Sequence, residues 1–204
     1  MMIVEKSPGK IIIIGDHAVV HGFPGLVATI GLYATVNLKV REDSKVIIKI
    51  PHFNFSYEYT WDEIMNYSKK AKNIWDEYTK MKDIRVLQKF KEDADNLVKL
   101  SLIETLKYLN KDNPPGIEIQ IDSEMSIGGF GSSTAVACSI IKAFSKALGA
   151  KITKDDLFNI VMNIEKHFYP NVSGLDQSAI SYGGLVRFQK INGKANYEKM
   201  NINS

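Results

Sequence analysis

The rhythm of apolar and polar positions changes along the chain. Lys10–Ile14 is a short apolar run, and Ala28–Val40 is rich in β-branched residues and ends in alternation. Val46–Ile50 and Phe53–Tyr59 alternate with period two, the pattern of half-buried strands. Gly15, Gly22, Gly25 and Asp43–Ser44 punctuate these runs, so the chain up to Tyr59 predicts a multi-stranded sheet. From Trp61 to Asn110 the texture turns charged, with Leu97, Leu100, Ile103, Leu106 and Leu109 at helical spacing. Helices are predicted there, stopped at Asn110–Gly116 by Pro114 and Pro115. Ile117, Ile119 and Ile121 then alternate with Glu118, Gln120 and Asp122, a strand leading into a glycine-rich stretch, Ser126–Thr134. A helix over Ser132–Leu148 follows, closed by Gly149. Thr153, with Asp156 three residues on, predicts an N-cap and an acidic first turn for a helix to about His167. A loop over Tyr169–Gln177, a short helix and a strand at Leu185–Phe188 complete the pattern, which by itself gives one mixed α/β domain.

Composition narrows the classes. With 204 residues, 45% hydrophobic and 24% charged, the chain is neither disordered nor collagen-like, and its single cysteine, Cys138, cannot form an internal bridge. The N-terminus lacks the apolar stretch and cleavage site of a secretory signal, which predicts a cytoplasmic protein. His21, Gly22, Pro24, Gly25 and Gly31 interrupt the apolar stretch Ala18–Val36, so no membrane span is expected. A net charge of +3 and only three arginines (Arg41, Arg85 and Arg187) among 26 basic residues argue against nucleic acid as a partner. Tyr67–Lys91 holds eight basic and three acidic residues, read as a solvated helical face because arginine and interleaved aromatics are scarce.

Three constellations carry candidate chemistry. Gly128-Gly129-Phe130-Gly131-Ser132-Ser133-Thr134 stands between a strand and a helix: its glycines allow close backbone approach to an anion, the helix start offers N–H groups, and the serines add hydroxyls. It is neither a Walker A loop nor G-x-G-x-x-G, and a glycine turn with a serine N-cap is its other reading. Glu165 and, eleven residues on, Asp176 in Asn171-Val-Ser-Gly-Leu-Asp-Gln177 suit a divalent-ion ligand and a proton acceptor, or a surface acid and a helix cap. Lys6-Ser-Pro-Gly-Lys10, an isoleucine run and Gly15-Asp-His-Ala-Val-Val-His-Gly22 put a cation and an Asp16–His17 pair at two ends of one strand. Solvated Lys10 and a partly buried His17 are the alternative there.

All three occur together and in order, and in that order the sequence resembles the GHMP small-molecule kinases. Pro8-Gly9-Lys10 with Gly15-Asp16-His17-Ala18-Val19-Val20-His21-Gly22 is similar to the first motif of that family, and the Ala-Val-Val-x-Gly continuation is that of its members acting on mevalonate. Gly129-Phe130-Gly131-Ser132-Ser133-Thr134-Ala135 resembles the nucleotide loop Gly-Leu-Gly-Ser-Ser-Ala-Ala, and Glu165 with Val172-Ser173-Gly174-Leu175-Asp176 resembles the third segment. Asp16 replaces the usual Glu, Met125 and Val172 stand for Pro, Phe130 for Leu and Thr134 for Ala. The resemblance spans Lys6 to about Phe188.

The resemblance implies the α+β fold shared with domain 2 of ribosomal protein S5, helices packed on a mixed sheet. It also implies an ATP-binding and catalytic domain over residues 1–190, with 191–204 beginning a connection to a missing C-terminal domain or a tail. The implied reaction is ATP- and Mg2+-dependent phosphorylation of the C5 hydroxyl of mevalonate, a step of isoprenoid synthesis. Asp176 and Lys10 are the implied catalytic pair, Gly128, Gly129, Gly131, Ser132, Ser133 and Thr134 the phosphate contacts, Ser133 and Glu165 the metal ligands, and His17, Asp16 and Ser173 the acceptor-side residues. A sister kinase acting on phosphomevalonate or another mevalonate hydroxyl, and a non-catalytic metabolite-binding homologue, are the alternatives; a homodimer is one option for assembly.

Overall fold

The computed structural model describes residues 1–125, 128–191 and 194–200. Seven strands form one mixed sheet: β1 Met2–Ile14, β2 Gly25–Arg41, β3 Lys45–Ile50, β4 Phe55–Thr60, β5 Gly116–Ser123, β6 Leu185–Ile191 and β7 Lys194–Met200. The order is β4-β3-β5-β2-β6-β7, with β1 on the other edge of β2. Long β2 is shared along one side by two strands: Ala34–Arg41 pair with β5 and Gly25–Ala28 with β6, all antiparallel, while β3 runs parallel to β5. Between those two pairings the loop after β5 reaches β2 through Glu124 N–H to the Tyr33 carbonyl, and the start of β6 through Thr29 N–H to the Gly184 carbonyl. Lys10 of β1 pairs with Thr29, opposite this split.

Among the described residues five α-helices accompany the sheet: α1 Trp61–Met81, α2 Asn96–Leu109, α3 Ser132–Ala147, α4 Lys154–Phe168 and α5 Leu175–Tyr182. Capping boxes start two of them, Thr60 with Glu63 for α1 and Thr153 with Asp156 for α4, where the sequence predicts an N-cap at Thr153. Helix α3 lies at the centre. Its small residues Ala135, Ala137, Cys138 and Ser139 are fully buried and let it pack closely, and the Ser139 hydroxyl donates to the Ala34 carbonyl of β2 at 2.9 Å. Phe144, near its end, stacks on Trp61, and the complete burial of such a side chain contributes roughly 2–3 kcal/mol. The main core joins Leu38, Ile48 and Ile119 of the sheet to Ile64, Leu100 and Ile160 of the helices; a smaller cluster gathers Val19, Val27, Leu175, Ala179, Val186 and Phe188.

Most predicted elements are present, with informative differences. β1 is far longer than Lys10–Ile14 because it continues backward through Pro8-Gly9, which pair with Tyr33 and Ile30, and the register irregularity leaves Gly31 and Leu32 of β2 without partners in β1. The segment Ile84–Lys91 is a 3-10 helix, and Lys194–Met200, inside the stretch expected as a connection or tail, is the edge strand β7. Gly193 and the last four residues lie outside the described residues. In the basic segment, Lys89 pairs with Glu77, Arg85 with Asp83 and Lys70 with Asp93, while Lys69, Lys72 and Lys80 are exposed. No helix among the described residues is long and apolar enough to cross a membrane.

Candidate active site

The site begins with the irregularity in β1. Buried positions fall on Ile3 and Ser7 before the shift between Pro8 and Gly9, whereas beyond it Gly9 and Lys10 are both buried and Ile11 is exposed. The change of phase turns Lys10 toward the helices, where only 4% of it is exposed. Its backbone N–H donates to the Phe130 carbonyl at 2.8 Å, joining β1 to the glycine loop. A Cβ on Gly9 would lie 2.5 Å from the Met125 sulfur and 3.0 Å from that carbonyl, so a side chain here would press on the loop that crosses the strand.

Gly131 is the N-cap of α3 at φ +69°, with no side-chain hydrogen bond to the cap, so the first-turn N–H groups of the helix remain available to a ligand. A Cβ there would sit 3.0 Å from both Lys10 Cγ and Ile180 Cδ1. From the other side, Gly174 at φ +94° starts α5, and the Ser173 hydroxyl accepts the Leu175 N–H at 3.2 Å. This tight start delivers Asp176 to Lys10: Asp176 Oδ1 stands 2.8 Å from Lys10 Nζ. Burial pushes the Asp176 carboxyl above the ordinary aspartate range, Lys10 pulls it only partly back, and the charge of Asp16 adds to the rise.

Lys10, Asp176, Gly128, Gly129, Gly131, Ser132 and Ser133 line one cavity of about 500 Å3. Glu165 is behind this wall, 3% exposed, and accepts the Thr134 hydroxyl at 2.7 Å. Burial raises its pKa; the Thr134 bond and the Gln177 amide work against that rise, and the Asp176 charge reinforces it. Thr134, expected among the phosphate contacts, thus turns its hydroxyl to Glu165 and does not line the cavity. Asp16 and His17 are exposed in the turn after β1, and Ser173 lines a separate surface depression with Asn159 and Lys190, so none of the three is on the cavity wall. Ser126 and Ile127 of the glycine-rich stretch lie outside the described residues.

The donor set suits a divalent cation of the magnesium type. Glu165 has no ion-pair partner among the described residues, and these contain no cluster of three metal-binding side chains. A cation here would take one carboxylate and complete its shell from phosphate oxygens and water, which is the usual manner of Mg2+.

Residues 96–184 match the sequence profile described as GHMP kinases N terminal domain. Over α2 to α5, the glycine loop included, the chain is thus similar to a GHMP kinase N-terminal domain. It is 29% identical over 199 residues to the mevalonate kinase of Methanocaldococcus jannaschii, covering 95% of this chain and 57% of that protein. With the mevalonate kinase of Saccharolobus solfataricus it shares 30% over 206 residues, 100% of this chain and 56% of the relative. The crystal structure of the Methanococcus jannaschii mevalonate kinase superposes with a TM-score of 0.81 at 25% identity, over 98% of this chain and 56% of that one. A Lactococcus lactis galactokinase complexed with galactose shares the fold, with a TM-score of 0.75 at 21% identity, over 99% of this chain and 48% of that one. The chain spans about half the length of the curated relatives it matches.

The far wall of the cavity is the part that the sequence did not reveal. Ile50 ends β3, Phe53 closes the 3-10 turn that follows it, Leu97 and Val98 come from α2, Ile121 from β5, and Tyr169 caps the end of α4. Each reads in the sequence as an ordinary core or loop residue. Phe53 stands out only in the fold, as a large apolar side chain 55% exposed.

Proposed function

We propose that this chain binds ATP and transfers its γ-phosphoryl group to the C5 hydroxyl of mevalonate. The observation that carries the reading is the Lys10–Asp176 pair at 2.8 Å on the wall of the cavity that also receives the start of α3. In this reading Gly129, Gly131, Ser132 and the first-turn N–H groups of α3 hold the phosphates, and the apolar far wall excludes water. Mg2+, held by Ser133 and Glu165, would neutralise phosphate charge. The Asp176 carboxylate accepts the proton of the acceptor hydroxyl as its oxygen bonds to the γ-phosphorus and the bond from that phosphorus to the bridging oxygen breaks, releasing ADP. Lys10 stabilises the charge on the acceptor oxygen and on the phosphoryl group in flight. His17, Asp16 and Ser173 are placed outside the cavity wall, and in this reading Ser173 acts through the turn that presents Asp176. The names of the relatives support mevalonate as acceptor.

The test is ADP release by the 204-residue chain with Mg-ATP and, separately, mevalonate, phosphomevalonate, galactose or no acceptor. Mevalonate-dependent release that disappears in Asp176→Ala is the expected result. Release with phosphomevalonate alone would move the assignment to a sister activity, and silence with every acceptor would overturn catalysis by this chain.

A further inference from the structure

Thr134 is in the first turn of α3, directly after Ser133, and is 2% exposed. Its hydroxyl donates to Glu165 Oε1, on α4, at 2.7 Å. The Gln177 amide, next to Asp176 on α5, faces the same carboxylate. Three helices that bring site residues together are therefore tied at one buried acid. Both partners are neutral. A lysine or arginine in place of Thr134 would orient Glu165 but cancel its charge, whereas a hydroxyl fixes one oxygen and leaves the negative charge to be met by something else. A threonine in a helix also has restricted χ1, so its hydroxyl is a stiff support.

We propose that Thr134 is a positioning residue: its hydroxyl holds Glu165 in the rotamer that, with Ser133, receives the divalent cation accompanying the nucleotide. This rests on the nucleotide-binding reading above and adds a residue that does not itself reach the cavity. Supports that orient a metal ligand through a hydrogen bond commonly change metal affinity by about 10–100-fold when removed.

The experiment compares the full 204-residue wild-type chain with Thr134→Val and Thr134→Ser, using Mn2+ as the probe, its free signal followed by electron paramagnetic resonance with ADP present. ADP binding in EDTA is measured in parallel by calorimetry. Thr134→Val should weaken Mn2+ binding roughly tenfold and leave metal-free ADP binding unchanged, and Thr134→Ser should restore most of the loss. Equal Mn2+ affinity in wild type and Thr134→Val would overturn the proposal, as would a serine variant as weak as the valine one. Should Thr134→Val fail to fold, Thr134→Ala gives the same comparison with space for a water. No acceptor or turnover is needed, so silence in the kinase assay leaves these outcomes intact; a wild-type chain that does not bind ADP at all would remove the nucleotide reading and this inference with it.

Discussion

Lys10 Nζ and Asp176 Oδ1 are 2.8 Å apart, although one belongs to the first strand and the other to the last helix. The ammonium is nearly sealed from water, while 32% of the Asp176 side chain remains accessible from the cavity. A charged pair with one closed and one open end can serve an incoming hydroxyl without being dismantled. Asp176→Ala should therefore lower turnover by about 10²–10⁴-fold, the range that general-base groups contribute, with little change in the ATP concentration needed for half-saturation. It should also destabilise the fold by about 1–2 kcal/mol, because Lys10 loses its carboxylate; the cost is below that of a fully buried pair since Asp176 is partly solvated. Steady-state kinetics and urea unfolding on the same variant separate the two effects.

The raised pKa of Asp176 gives a pH dependence with a definite sign. A general base works deprotonated, so the acid limb of kcat/KM should be displaced above 3.8, the ordinary aspartate value. The folded chain binds this proton more tightly than the unfolded chain does. Stability from this group is thus fully present below 3.8 and is lost as pH rises through the higher folded value. The difference in unfolding free energy between wild type and Asp176→Asn, followed from pH 3 upward, should shift against the wild type over that window and level off above it. A difference that stays constant with pH would show that the folded environment leaves the carboxyl unperturbed.

The N-cap of α4 offers a stability change remote from the chemistry. Thr153 Oγ1 accepts the Asp156 N–H at 3.1 Å, and Asp156 returns the contact to the Thr153 N–H at 2.7 Å. Thr153→Ala should cost about 1 kcal/mol in urea unfolding. Nucleotide affinity should be unchanged, since neither residue lines the cavity.

What the sequence disclosed followed from the range of the forces involved. Alternation at Ile117–Ile121 and the Thr153 N-cap with its acidic first turn depend on neighbours within one turn or one pleat, and both are present. The glycine loop was legible because positive φ angles at Gly128, Gly129 and Gly131 demand a residue type that the sequence names outright. Pro8-Gly9 breaks strand periodicity, so the local pattern predicts a β1 shorter than it is; the continuation shows only in the pairing with β2, where Gly31 and Leu32 are skipped. The partner of Thr134 was hidden for the same reason. Nothing near residue 134 in sequence signals a carboxylate, which α3–α4 packing brings to its hydroxyl. The wall made by Ile50, Leu97 and Ile121 joins three elements, each apolar for its own core, so no local pattern set it apart.

Gly129 and Gly131 differ in a way that separates backbone strain from displacement of a reactive group. Both have positive φ, +78° and +69°, so an alanine at either position costs roughly 1 kcal/mol in backbone conformation. Among the described residues, a Cβ on Gly129 would meet nothing within 4 Å, whereas on Gly131 it would press on Lys10 Cγ at 3.0 Å and Cε at 3.2 Å. Lys10 is held at its far end by Asp176, so it can yield only by moving its ammonium relative to that carboxylate. Gly131→Ala should accordingly lower turnover by about tenfold or more, in keeping with the sensitivity of transfer reactions to small misplacements, while Gly129→Ala with similar unfolding free energy retains most of it. If the two variants lose turnover equally, the loss arises in the glycine loop, and the position of Lys10 is not what limits the reaction.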